Sequence, residues 1–227
     1  MGAGGQRRLI DLSHEVADGM PAYPGLPAPV IRPFKARAET ASWYTDGSTF
    51  EITRVDLVTG VGTYLHAPWH RYPEGTDLAG LALESLADLP GLRVEARSRP
   101  GRAIERNLLA GADVRGKAVL FNTGWASRWG TPGYWEAGPY LTEETCTRLI
   151  EQGAVLVGAD CWNVDDTATK ARPIHSALLK AGVIVVENLC NLEALPAEGI
   201  RVHAVPTKFR RCDSFPVRAY AVLDANP

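Results

Sequence analysis

Short apolar runs separated by turn residues set the pattern of this chain. "LIDLS" (9–13) predicts a short strand. It is followed by "DGMPAYPGLPAPVIRP" (18–33), whose five prolines and two glycines predict an extended, ordered loop without regular structure. In "STFEITRVDLVTG" (48–60), Phe50, Ile52, Val55 and Leu57 alternate imperfectly, which predicts one or two strands. "LRVEAR" (92–97) is a further strand, and "KAVLFNTGW" (117–125) is the near-continuous apolar run of a strand buried on both faces. "LTEETCTRLIEQG" (141–153) has helical spacing, with an apolar stripe of Cys146, Leu149 and Ile150. Thr142 suits its N-cap, Glu143 and Glu144 its positive end, and Gly153 its stop. "AVLVGAD" then reads as a buried strand ending at Asp160, "HSALLKAG" as a short helix ending at Gly182, and "VIVVENL" as another strand. "IRVHAVPTKF" and "FPVRAYAVL" close the chain as strands.

Many strands with short helices in mixed order predict an α/β or α+β fold built on one sheet or barrel. No repeat, low-complexity segment or linker divides the 227 residues, so one domain spanning 1–227 is expected. Composition changes the picture only by exclusion. Lys and Arg number 24 against 26 Asp and Glu, a net charge of −2, and only "FRR" (209–211) clusters positive charge. That excludes a nucleic-acid-binding stripe and favours a small-molecule partner. The apolar runs are too short to cross a bilayer. The "MGAGGQRRL" start lacks the apolar core of a secretory signal, and its sixth position lacks the Ser or Thr of a myristoylation site. The four cysteines, Cys146, Cys161, Cys190 and Cys212, are scattered, as expected of reduced thiols in a cytoplasmic protein.

Candidate chemistry begins at Gly60–His70, "GVGTYLHAPWH", where His66 and His70 flank Ala-Pro-Trp. Pro68 argues against a helical metal face, whereas extended backbone would set positions 66, 68 and 70 on one side. Catalytic metals need about three His, Asp or Glu ligands and an open position. Such a histidine pair in a proline-rich loop is more often part of a purely structural turn. "PIHSALLKAGVIVVENL" adds His175 at a helix start and Glu187 near the end of an apolar strand, where a carboxylate is costly without a cation or donors. "VGADCWNVDD" puts Asp160 at the end of a buried strand, the usual place for functional groups in α/β proteins, while Asp165 and Asp166 suit a turn. His14 and His203 have no partner in sequence and read as packed or surface imidazoles. No nucleophile elbow, P-loop or dinucleotide fingerprint occurs, and Cys161 lacks a local partner for nucleophilic chemistry. Tyr23, Trp43, Tyr44, Trp69, Trp125 and Trp129 fall in loops and suit a flat apolar substrate. Tyr23 and above all Trp69 are the expected pocket walls.

These segments, taken in order, resemble the cyclase family of metal-dependent, arylformamidase-like hydrolases, which includes kynurenine formamidases, isatin hydrolases and polyketide ring cyclases. The segments run from "IDLSHEVADGMPAYPG" through "EGTDLAGLALESL" and "HSALLKAGVIVVENLCNL" to "FPVRAYAVL", nearly the whole chain. The resemblance implies a mixed-sheet, barrel-like β core with peripheral helices, of swivelling β/β/α type. It also implies homodimers or homotetramers with active sites near subunit contacts. The family's metal loop reads H-x-G-T-H-x-D-A-P-x-H. Here Gly60 and Tyr64 stand at its first two ligand positions, His66 at the bridging Asp, and only His70, the proton-handling histidine, is kept. His175 and Glu187 are kept, and Gly138 replaces a further histidine.

The surviving residues suit a single Zn or Mn ion held by His66, His175 and Glu187, with His70 as base or shuttle, hydrolysing an amide, formamide, lactam or lactone of a small aromatic substrate. The alternative dispenses with metal. His66, His70, His175 and Glu187 form an acid/base cluster, Tyr64 donates to an oxyanion, and the reaction closes a ring on a polyketide-like substrate. A third reading is a degenerate, ligand-binding relative.

Overall fold

The computed structural model describes residues 7–97 and 100–223, so most of the glycine-rich start lies outside the described residues. The first third of the chain supplies β1 (Arg8–Asp11), β2 (Val30–Lys35), the single-turn α1 (Arg37–Thr40), β3 (Ile52–Asp56) and β4 (Tyr64–His66). The middle supplies β5 (Leu89–Glu95), β6 (Ala103–Ile104), β7 (Ala118–Asn122), β8 (Tyr140–Leu141), α2 (Glu143–Glu151) and β9 (Leu156–Ala159). The last third supplies α3 (Pro173–Lys180), β10 (Ile184–Glu187), β11 (Ile200–His203), β12 (Ser214–Pro216) and β13 (Tyr220–Leu223).

Nine strands form one mixed sheet in the order β1-β13-β11-β5-β7-β9-β10-β4-β12. Its centre, β5-β7-β9-β10, is parallel, and antiparallel strands flank it on both sides. The continuous apolar runs explain the centre. Leu120, Leu156, Ile184 and Val186 face one core, while Val119, Phe121, Val157 and Val185 face another. Burial on both faces is what parallel strands with helical crossovers require.

The two cores are closed differently. α2 and α3 cover one face through Cys146, Leu149, Ile174, Leu178 and Leu179. Thr142 caps α2 by accepting from the Thr145 N–H at 3.2 Å, and Gly153 ends it at φ +80°, as the sequence predicts. On the other face the sheet curls on itself, so Ile10, Ile200, Val202 and Ala221 from its far strands join Leu65, Leu120 and Val186 in a half-barrel interior. The architecture is the α/β, mixed-sheet, barrel-like core expected from the resemblance.

Two expectations need correction. The proline-rich segment is not irregular throughout: β2 begins at Val30 and pairs with β3, with an irregularity between Pro33 and Lys35. Proline is tolerated because a two-stranded ribbon has free edges. Every residue of β3 is exposed, so neither face of the ribbon is buried and the alternation there had nothing to match. "FPVRAYAVL" is two strands rather than one: β12 lies beside β4 at one sheet edge, and β13 pairs with β1 and β11 near the other.

Leu120 is fully buried, so Leu120→Ala is expected to cost about 2–5 kcal/mol, whereas Leu83→Ala, at a position 60% exposed, should change stability by no more than about 0.5 kcal/mol. Urea denaturation of both variants checks the pair.

Candidate active site

Glu187 is placed by β10, which leaves the sheet interior at its last residue. The side chain is 1% exposed and sits between two imidazoles. Its Oε2 lies 3.3 Å from His66 Nε2, and its Oε1 lies 3.3 Å from His175 Nε2. The Tyr64 hydroxyl donates to Oε2 at 2.8 Å, and the Val164 N–H donates to Oε1 at 2.9 Å. β10 pairs antiparallel with β4, with Tyr64 opposite Glu187, and that register delivers Tyr64 and His66 to the carboxylate. α3 delivers His175 from its first turn.

A reverse turn, not extended backbone, carries His70. After His66 the chain enters a 3₁₀ turn at Pro68–His70, with Pro68 at its start, where the absent N–H costs nothing. The His66 and His70 rings still meet, with centroids 4.3 Å apart, and His66 and His175 are 5.1 Å apart. Turning the chain also throws Trp69 outwards. Its indole N–H donates to the Pro73 carbonyl at 3.1 Å on a separate surface, so Trp69 is not the pocket wall expected from the sequence. Tyr23 does line the pocket. A cavity of about 310 Å³ unites Tyr23, Gly60, Tyr64, His66, His70, His175 and Glu187 with Arg71, Asn163, Arg172, Asp213 and Ser214.

Two carboxylates that the sequence did not single out for chemistry orient the histidines. Asp165, taken for a turn residue, is buried and accepts from His175 Nδ1 at 2.6 Å and from the Ile174 N–H at 2.7 Å. It thus caps the first turn of α3 while fixing the ring. Asp213 meets His70 Nδ1 at 2.7 Å across 143 positions, a distance no local signal spans. Asp166 is the turn residue of the pair and binds Arg102 at 2.7 Å. Asp160 is structural: it accepts from the Thr123 and Gly124 N–H groups and anchors the loop after β7. His14 stacks on Trp129 and His203 on Tyr220, both packed imidazoles away from the pocket.

Burial and charge divide the labour among these groups. Burial pushes the pKa of His66 down to about 4, so it is a neutral ring at physiological pH and its contact with Glu187 is a hydrogen bond, not an ion pair. Burial works against charge on His175 too, but the Glu187 charge and the Asp165 hydrogen bond overturn it and raise that pKa. Burial opposes ionisation of Glu187, yet His175 and its hydrogen bonds hold it well below the usual carboxylate range. Burial raises Tyr64 well above the usual phenol, and its proton is committed to Glu187, so it is not the free oxyanion donor expected. Burial likewise opposes Asp213, but the His70 hydrogen bond lowers it to about 2.

The donor set fits a divalent cation. Ligand atoms about 2.1 Å from one ion stand about 3.4 Å apart in a tetrahedron, and each histidine Nε2 lies 3.3 Å from one of the two Glu187 oxygens, His66 from Oε2 and His175 from Oε1. His66, His175 and Glu187 bring one donor atom each within 4.8 Å of one another. The Asp165–His175 pair and the Tyr64 and Val164 donors to Glu187 are the outer partners that orient metal ligands. His66 Nδ1 is buried and has no hydrogen-bond partner among the described residues, which leaves that ring one nitrogen in excess of what they satisfy.

Comparison with known proteins agrees with this geometry. A family model described as "Putative cyclase" matches residues 10–166. The chain belongs to the cyclase family. It is 30% identical over 213 residues to a kynurenine formamidase of Salinibacter ruber, covering 93% of this chain and 95% of that one. It is 26% identical to a kynurenine formamidase of Geobacillus thermodenitrificans, covering 92% and 95%. The fold matches an isatin hydrolase of Labrenzia aggregata solved with benzyl benzoate, at a TM-score of 0.82 and 20% identity, over 96% of this chain and 94% of that one. With hydrolytic relatives along its whole length, this family member is an enzyme. Among the described residues no helix is long and apolar enough to cross a membrane.

Tyr64→Phe removes one donor from a buried carboxylate. The expected loss is about 1–3 kcal/mol of stability, read by urea denaturation; unchanged stability would show that the hydroxyl does not support Glu187.

Proposed function

We propose that the protein is a metal-dependent hydrolase that opens an amide, formamide, lactam or lactone bond of a small aromatic substrate. The observation that carries this is the convergence of His66, His175 and Glu187, each buried, with Asp165 orienting His175 and Tyr64 and Val164 supporting Glu187, on the floor of a cavity that His70 also lines. The whole-length kinship with kynurenine formamidases supports amide chemistry.

His66, His175 and Glu187 would hold a single zinc or manganese ion. Such an ion supplies Lewis acidity to a carbonyl or a water at the cavity floor. The chain's own residues do the rest. Glu187 is kept ionised by its donors, and Asp165 fixes the His175 ring so that Nε2 faces Glu187. Asp213 takes the Nδ1 side of His70, which leaves Nε2 as the proton-handling atom at the pocket. A base held in this way can take a proton from water and return it to the leaving nitrogen. Tyr23, at the cavity wall, stacks edgewise on Trp162 with centroids 5.2 Å apart and offers an apolar face to an aromatic ring.

A second reading follows from Gly60 and Tyr64, which stand at two positions where the family motif carries ligands: a ring-forming cyclase using the His/Glu cluster without metal. Elemental analysis separates the two. The purified enzyme is expected to hold about one divalent ion per chain and to lose both ion and formamide hydrolysis on His175→Ala or Glu187→Gln. His70→Ala should keep the ion and lose about 10²–10⁴ in kcat. Metal-free enzyme with full turnover would overturn the hydrolase reading.

We infer further that the protein is a homodimer or homotetramer. The β2–β3 ribbon exposes Val30, Phe34, Ile52 and Val55 at 42–60%. An isolated two-stranded ribbon is marginal in water, and apolar side chains left exposed on both of its faces suit cover by a second copy. Light scattering should give at least a dimer, and Phe34→Asp with Ile52→Asp should shift it towards monomer; a monomeric parent would remove this inference.

A further inference from the structure

β1 is an open edge of the nine-strand sheet. It pairs with β13 alone, over four residues in unbroken register and with no proline. The opposite edge, β12, spans three residues and ends in Pro216, one of the devices that blunt an edge. The register of β1 decides which of its backbone groups are left over. The Leu12 N–H donates to the Ala219 carbonyl at 2.9 Å, in step with the pairs Arg8–Leu223 and Ile10–Ala221, so the even positions bond to β13. The odd positions point the other way. At Asp11 that outward carbonyl accepts from the Asn191 side-chain amide at 2.8 Å. At Leu9 neither the N–H nor the carbonyl has a partner among the described residues.

The side chains of the strand alternate. Ile10 packs into the half-barrel core, while Leu9 is 64% exposed on the outer face, opposite Val222. Arg7, Leu9 and Asp11 line a groove on that face together with Tyr220 and Arg218. Arg218 holds Asp11 at 2.7 Å, and a carboxylate so held still has lone pairs to accept further bonds. An exposed leucine with a cation two residues before it and an anion two residues after it is complementary to its own copy about a two-fold axis.

The geometry points to β1 as a subunit contact, at which β1 of a second copy adds antiparallel and joins the two nine-strand sheets. A two-fold axis normal to the joined sheet keeps each face on its own side, so odd positions meet odd ones. Centred on Leu9, the pairing sets Leu9 against Leu9 and each Arg7 against an Asp11, and the free Leu9 backbone groups bond to one another. Centred on Asp11, it would oppose two carboxylates where Asn191 already occupies the edge; centred on Ile10, it would set Leu9 against Asp11. The Leu9 register alone matches both the charges and the free backbone groups. None of these residues belongs to the β2–β3 ribbon, so the two surfaces together give a tetramer and this one alone a dimer. The contact does not depend on the hydrolase reading.

Cysteine cross-linking of the full-length protein reads the register. Opposed Cα atoms in such a pair stand about 5.5 Å apart, within the reach of a disulfide. Leu9→Cys should therefore form a disulfide-linked dimer under mild oxidation at least about tenfold faster than Arg8→Cys, because pairing concentrates the thiols at position 9 alone. Both positions are exposed, and the parent, with Cys146, Cys161 and Cys190 buried and Cys212 half-buried, gives the background. Light scattering is the second readout. Leu9→Asp sets two carboxylates against each other across the axis and should halve the mass of the oligomer. A mass halved by Leu9→Asp but unmoved by Phe34→Asp with Ile52→Asp removes the ribbon contact and keeps this one. Equal cross-linking rates at positions 8 and 9, a mass unchanged by Leu9→Asp, or a monomeric parent overturns the proposal.

Discussion

The burial of one carboxylate organises this molecule. Glu187 ends a strand of Ile, Val and Val in the middle of a sheet covered on both faces, and a bare charge there would cost several kcal/mol. The structure meets that cost with four donors drawn from three separate stretches of chain: Tyr64 and His66 from β4 by strand register, Val164 from the loop after β9, and His175 from α3. The compensation of a structural problem is also the assembly of a site. Groups that must approach a carboxylate to satisfy it are the groups that could share a cation with it.

The sheet topology makes the assembly rigid. β10 lies between parallel β9 and antiparallel β4, so the site straddles the place where strand direction changes. The αL residue Asn188, directly after Glu187, ties the strand end to its surroundings. It accepts from the Tyr134 hydroxyl at 2.7 Å and donates to the Gly62 carbonyl at 2.6 Å. Gly62 has φ +65°, and a Cβ there would meet Val16 Cγ2 at 2.6 Å, so the turn before β4 requires glycine. The Gly-x-Gly-Thr turn is thus the device that aims Tyr64 and His66 at Glu187.

What could be read from the sequence followed from how local each signal was. The buried strands at 118–122, 156–159 and 184–187 and the capped helix at 143–151 were legible because burial on both faces and a Thr cap leave marks within a few residues. The strand at 52–56 was legible from its partial alternation, but its partner at 30–35 was not, because its prolines read as loop and a ribbon edge tolerates them. His66, His70, His175 and Glu187 were legible as chemistry that is costly where it stands. Asp165 and Asp166 both suited a turn in sequence; Asp166 is in one, while Asp165 is cap and imidazole partner at once, which only the folded arrangement reveals. Asp213 and the two pocket arginines had no signal, because only the fold brings position 213 to position 70.

The residues at the loop's altered positions bear on what a cation site there could hold. A ligand histidine at position 64 would compete with Glu187 for a cation; a tyrosine there instead supports Glu187 from behind, and Gly60, with only the Tyr64 ring within 4 Å of where its Cβ would be, leaves room in the cavity. Replacing the bridging acid by His66 removes a negative charge and adds a neutral ring, which suits one divalent ion better than two. With Glu187 as the one acid among the three candidate donors, a cation held there would keep more of its positive charge for the oxygen it polarises.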